Sequence, residues 1–112
     1  MARGLERGEI RLCSFPRPDK SRPVLVLTRT SAIRYLDRVT VAPITSTIRG
    51  VPSEVVLGVE DGLKQPCAAN LHNLVTVPKE VIGARLGQLS LARMRQACTS
   101  IAFALGCDAY DS

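Results

Sequence analysis

Ser21-Arg22-Pro23-Val24-Leu25-Val26-Leu27-Thr28 decides the fold. Its aliphatic and β-branched run has no polar alternation, which suits a strand covered on both faces, so it reads as the central strand. Pro23 has no N–H to donate and is expected at the strand's first residue, holding Arg22 in extended backbone just outside the apolar body. A guanidinium stays charged at any working pH, and its planar fork of donors suits a phosphate. On residue type alone, an arginine flanking a strand is more often a solvated edge charge.

On the N-terminal side, Arg7 to Phe15 reads as a first strand, with Ile10 and Leu12 on an inner face and Glu9 and Arg11 on the outer one. Pro16 to Ser21 is a short loop carrying Arg17 and Lys20. On the C-terminal side, Thr30 to Asp37 fits either a loop or one helical turn. Arg38 to Thr45 is a third strand, whose Pro43 calls for an edge position or a bulge. Gly50 and Pro52 mark a turn before a fourth strand, Glu54 to Leu57. Cys67 to Val77 reads as one long fifth strand ended by Pro78, and Ala84 to Gly87 as a small sixth. From Ser90 the period becomes helical, with Leu91, Met94, Cys98, Ile101, Ala102 and Leu105 on one face, Ser90 as the N-terminal cap and Gly106 at the end. The tail from Cys107 is expected to fray.

The chain has 112 residues, one domain's worth spanning 1–112, with 46% hydrophobic and 22% charged residues, the balance of a globular protein. No apolar run approaches the roughly 20 residues that span a bilayer, and Met1 to Arg7 lacks a signal peptide's apolar segment, so a cytoplasmic location is expected. Cys13, Cys67, Cys98 and Cys107 are scattered without a C-x-x-C pair, which argues against zinc and against a disulfide framework and reads as reduced thiols, mostly in the core. The net charge is +5, but residues 1–49 hold ten of the fifteen basic residues against four acids, so that half carries +6 and the rest −1. Such a field attracts a polyanion, either nucleic acid or an acidic peptide.

If strands one to three are antiparallel neighbours, the loop, Arg22 and the Thr45-Ser46 end of strand three meet. With Lys20, Ser21 and Arg49 close by, they make a candidate phosphodiester cradle. His72, the only histidine, reads as a structural or surface residue sharing a strand face with Asn70, Leu74 and Thr76. Phe15 reads as core more readily than as a base-stacking platform, and with aromatics at 4% recognition would be led by phosphate.

Arg7-Gly8-Glu9-Ile10, then Arg22-Pro23-Val24-Leu25-Val26-Leu27, then Ala42-Pro43-Ile44-Thr45-Ser46, and later Gly62-Leu63, Asn70-Leu71 and Thr76-Val77 before a terminal helix resemble the MazF/PemK toxins of bacterial toxin–antitoxin pairs. The resemblance covers almost the whole chain, in order. It implies a mainly β fold with a C-terminal helix, an SH3-like small barrel of the CcdB/MazF type. It further implies a homodimer, a cognate acidic antitoxin, no cofactor or metal, and cleavage of single-stranded RNA to 2′,3′-cyclic phosphate and 5′-hydroxyl ends. By position, Arg22 and Thr45 match the catalytic pair, and Lys20, Ser21, Ser46 and Arg49 are the RNA-contact candidates. The loop at Pro16 to Ser21 is shorter than many in the family and has Asp19 as its one acid, so whether it covers the site and selects bases stays open, and the recognised RNA sequence does not carry over. Two other classes compete. One is a non-enzymatic CcdB-like toxin that poisons DNA gyrase; the other is a barrel that binds nucleic acid without cutting it.

Overall fold

Residues 4–16 and 20–107 are described by a computed structural model. In chain order the elements are β1 (Glu9–Ser14), β2 (Ser21–Val26), α1 (Thr30–Ile33), β3 (Arg38–Thr45), β4 (Glu54–Leu57), β5 (Cys67–Asn70), β6 (Val75–Pro78), β7 (Ile82–Gln88) and α2 (Leu91–Leu105). Two 3-10 turns, Val59–Asp61 and Lys79–Val81, join them. All strand pairs are antiparallel, in the order β4-β5-β3-β2-β1-β7, with β6 also beside β3. The sheet curls into a half-barrel, and α2 closes it against β4.

β2 is the central strand, as its composition requires. Val24 and Val26 point into one cluster with Cys13, Ile33, Val39, Val41 and Val77, while Leu25 and Leu27 point into another with Ile10, Ala42, Leu57, Leu71 and Ala97. Val24, Leu25 and Val26 are fully buried, and each such side chain stabilises the fold by about 1.5–3 kcal/mol. Strand alternation therefore builds two cores at once.

β1 differs from its reading in the same way. Glu9 and Arg11, expected outside, are both buried. Glu9 Oε1 accepts Arg11 Nε and NH2 at 3.1 and 3.0 Å and the Glu6 backbone N–H at 2.8 Å, while Arg11 NH1 donates to the Gly83 carbonyl at 2.9 Å. Arg85 from β7 adds an ion pair to Glu9 Oε2 at 3.3 Å. Simple alternation misses such a pair because each charge carries its partner inside.

The two prolines also sit differently from expectation. Pro23 is the third residue of β2, not the first; it pairs with Leu12 of β1, and the ladder to β3 starts one residue later, at Val24↔Pro43. Pro43 lies in an interior strand, neither at an edge nor in a bulge. The β3 ladder to β6 ends at Val41↔Val75 and the ladder to β5 begins at Ile44↔Ala69, so Pro43 falls where β3 changes partner and no donor is needed.

The long fifth strand is two strands, β5 and β6, separated by a turn from Leu71 to Leu74, because Leu71 is drawn into the core and its N–H donates to the Ser53 carbonyl at 2.9 Å. The described residues thus form seven strands, one more than the six read in the sequence. In α2 the inward residues are Met94, Ala97, Ser100 and Ile101, whereas Leu91 and Leu105 are 69% and 62% exposed and Cys98 is exposed. Ser90 Oγ accepts the Arg93 N–H at 3.2 Å, and Gly106 closes the helix at φ +75°. Cys13 and Cys67 are buried, whereas Cys98 and Cys107 are exposed, so only half of the thiols are core residues. The frayed tail beyond Cys107 lies outside the described residues.

Candidate functional site

The site follows from the β2–β3 register. That register pairs Val26 with Val41 and Val24 with Pro43; continued outward by two residues, it sets Arg22 opposite Thr45. Residues two apart share a strand face, so both side chains continue the face that inside the protein carries Val24, Val26, Val39 and Val41. Beyond the prolines that face reaches solvent. Arg22 is exposed and Thr45 half-buried.

Three adjoining cavities of about 400, 250 and 260 Å³ share Arg22. The largest holds Arg22 and Thr45 together with Thr47 and Arg49 from the β3–β4 connection, and it is walled on the far side by Glu54, Asn70, His72 and Asn73. The second adds Ser46 beside Arg22 and Thr45, with Gln65 and Cys67. The third runs past Phe15, Pro43, Asn73 and Val75. The four residues Arg22, Thr45, Ser46 and Arg49 thus line one continuous groove. Lys20 and Ser21 line none of the three cavities. Lys20 takes φ +55° with its carbonyl accepting the Phe15 N–H, and Ser21 pairs with Ser14, so both belong to the base of the β1–β2 hairpin. The rest of that loop, Arg17 to Asp19, lies outside the described residues.

The connection carrying Thr47 and Arg49 is tied down locally. Thr45 Oγ1 accepts the Thr47 N–H at 3.1 Å, and Glu54 Oε1 accepts the N–H groups of Arg49 and Gly50, both at 3.0 Å. On the far wall, Ser53 Oγ and His72 Nδ1 share a 2.5 Å hydrogen bond, and the buried Asn70 Oδ1 has no protein partner among the described residues. Phe15 is both half-buried against the core cluster that holds Val24 and Val26 and part of the groove.

Asn70, Asn73 and Glu54 were not among the expected site residues, and His72 was expected to be a structural or surface residue on a strand face; the turn that splits β5 from β6 was not visible in sequence. With that turn, His72 leaves the strand face assigned to it and joins the wall of the cleft. A polar run, Asn70-Leu71-His72-Asn73, flanking one buried leucine was the available signal.

The groove presents two fixed cations and several hydroxyl and amide groups on a shallow surface, the donor set that grips a phosphodiester and reads base edges. Residues 6–105 match the family model described as PemK-like, MazF-like toxin of type II toxin-antitoxin system. The chain belongs to this family.

Among MazF-like relatives, the probable endoribonuclease MazF5 of Mycobacterium tuberculosis is 43% identical over 102 residues, covering 90% of this chain and 93% of its own. The solved Mycobacterium tuberculosis toxin MazF-mt6 is 36% identical and superposes with a TM-score of 0.81, over 88% of this chain and 96% of its own. A mycobacterial endoribonuclease solved in complex with its cognate antitoxin is 28% identical, again with a TM-score of 0.81, over 92% of this chain and 96% of its own. The half-barrel with a terminal helix is therefore the MazF fold.

Proposed function

We infer that the chain is an endoribonuclease toxin that cuts single-stranded RNA, and that Arg22 and Thr45 stabilise the charge that builds on the phosphoryl oxygens. The observation that carries this reading is a permanent cation and a hydroxyl lining the same cleft, in a chain of this family. In the reaction the ribose 2′-oxygen attacks the adjacent phosphorus, the bond to the 5′-oxygen breaks, and a 2′,3′-cyclic phosphate and a 5′-hydroxyl remain. A guanidinium cannot give up its proton near neutrality, so Arg22 acts as an electrostatic clamp and not as a base. Thr45 donates its hydroxyl to the same oxygens, and Ser46 and Arg49 hold neighbouring phosphates along the groove. Lys20 and Ser21 stand at the base of the β1–β2 hairpin, where Lys20 adds a positive charge and Ser21 a hydroxyl donor.

A relative is known in complex with its antitoxin. Here the positive half of the chain suits an acidic antitoxin segment laid over the groove, and the working form is a homodimer. RNA as substrate places the protein in the cytoplasm; among the described residues no helix is long and apolar enough to cross a membrane. The gyrase-poison alternative is not favoured, since the relatives it matches carry endoribonuclease names.

The test is incubation of the pure protein with single-stranded RNA in EDTA. Cyclic-phosphate and 5′-hydroxyl ends are expected, with the rate lowered about 10²–10³-fold in Arg22→Ala and in Thr45→Val, and near-normal cleavage in Thr45→Ser. Intact RNA together with gyrase binding, or an Arg22→Ala protein that cuts within a few-fold of the parent, would overturn the reading.

A further inference from the structure

We propose that His72 is the base that takes the 2′-hydroxyl proton, and that Ser53 is the residue that positions it; the proposal rests on the ribonuclease reading above. Arg22 and Thr45 can stabilise charge but cannot accept a proton at neutral pH, so that reading leaves the nucleophile's proton without a destination. Among the described residues, the charged or titratable groups lining the cleft are Arg22 from β2, Arg49 from the β3–β4 connection, Glu54 from β4 and His72 from the β5–β6 turn. Glu54 already spends Oε1 on two backbone N–H groups, which makes its carboxylate a brace for the connection. An imidazole is the side-chain type that exchanges a proton near neutral pH without help.

His72 is also set up for that task. It is exposed, while Ser53, its partner, is only 8% exposed. The neighbouring Leu71 N–H donates to the Ser53 carbonyl at 2.9 Å, so backbone and side chain both pin the turn to the start of β4. When Nδ1 donates its hydrogen to Ser53 Oγ across 2.5 Å, the lone pair lies on Nε2, the atom left free for the cleft. The 2′-oxygen then bonds to phosphorus as its proton passes to Nε2. The bond from phosphorus to the 5′-oxygen breaks, that oxygen takes a proton from water, and the imidazolium returns its proton to solvent.

The experiment follows single-turnover cleavage by the full chain against pH, using a mapped single-stranded RNA and the same RNA with a 5′-sulfur leaving group at the scissile phosphate. The parent rate is expected to fall on the acid side, where an imidazole base is protonated. His72→Ala should lower it about 10²-fold and flatten that acid limb, with the same loss on the sulfur substrate and partial recovery with added imidazole. His72→Gln, with melting checked, guards against a folding defect. Ser53→Ala should move the midpoint of the acid limb, and Ser53→Thr should restore it.

A His72→Ala protein within three-fold of the parent with an unchanged pH limb would overturn the proposal, as would full recovery on the sulfur substrate, which would make the group a proton donor to the leaving oxygen. Either result leaves Arg22 and Thr45 in place. A parent protein that leaves RNA intact, or an undiminished Arg22→Ala, removes the ribonuclease reading and this proposal together.

Discussion

Gly62 and Gly87 cross backbone to backbone: a Cβ added to Gly62 would lie 2.9 Å from the Gly87 Cα and 2.5 Å from the Leu86 carbonyl oxygen, and one added to Gly87 would collide with the Asp61 carbonyl. Gly62 also sits at φ +100°, a conformation that L side chains rarely adopt. This crossing locks the turn after β4 onto β7, next to the Arg93–Asp61 ion pair that reaches it from α2 at 3.3 Å. Gly87→Ala and Gly62→Ala should each destabilise the fold by at least about 1–3 kcal/mol, read as a lower midpoint in urea. A midpoint unchanged in both variants would show that the crossing has slack.

The Glu9–Arg11 pair makes a second stability prediction. Glu9→Ala would strand the Arg11 guanidinium in a buried site and should cost about 3–5 kcal/mol, whereas Arg85→Ala, at the exposed end of the same network, should cost about 1 kcal/mol or less. Denaturant titration of the two variants side by side decides it; equal losses would refute the ranking.

Burial of the Cys13 thiol pushes its pKa up from the ordinary 9.0. The folded state therefore resists deprotonation more than the unfolded one. The stability this contributes is present below pH 9.0 and declines as the pH climbs through the raised folded value. Melting temperature measured from pH 7 to 11 should fall more steeply in the parent than in Cys13→Ala, and parallel curves would contradict it.

Arg49 should behave as a phosphate contact. In salt titrations of binding to a non-cleavable single-stranded RNA, Arg49→Ala should lower the slope of log affinity against log salt by about 0.7. Lys20→Ala, at the hairpin outside the three cavities, should change that slope less. The reverse order would move the RNA track toward the β1–β2 loop.

Much of this was legible in the residues. The unbroken Val24 to Leu27 run announced a strand with two covered faces, and Arg22 and Thr45 could be paired because their strands are adjacent and antiparallel. What escaped notice depended on side-chain and backbone partnerships that strand alternation does not report. Glu9 is buried because Arg11 and Arg85 meet it, and the strand after Cys67 breaks because Leu71 is fixed by Ser53. The inward face of α2 is set by Met94, Ala97, Ser100 and Ile101, while Leu91 and Leu105 stay exposed.

Pro23 and Pro43 work as a pair of missing stitches. Each withholds a donor where the fabric would otherwise close, and between them β2 and β3 part company while β5 is taken up on the far side. The groove thus opens where two prolines interrupt the backbone pairing, at a place the covalent chain itself sets. Diversification can then proceed through the connection that rims it at 46–52, leaving the strand-borne arginine and threonine and the Ser53–His72 pair undisturbed.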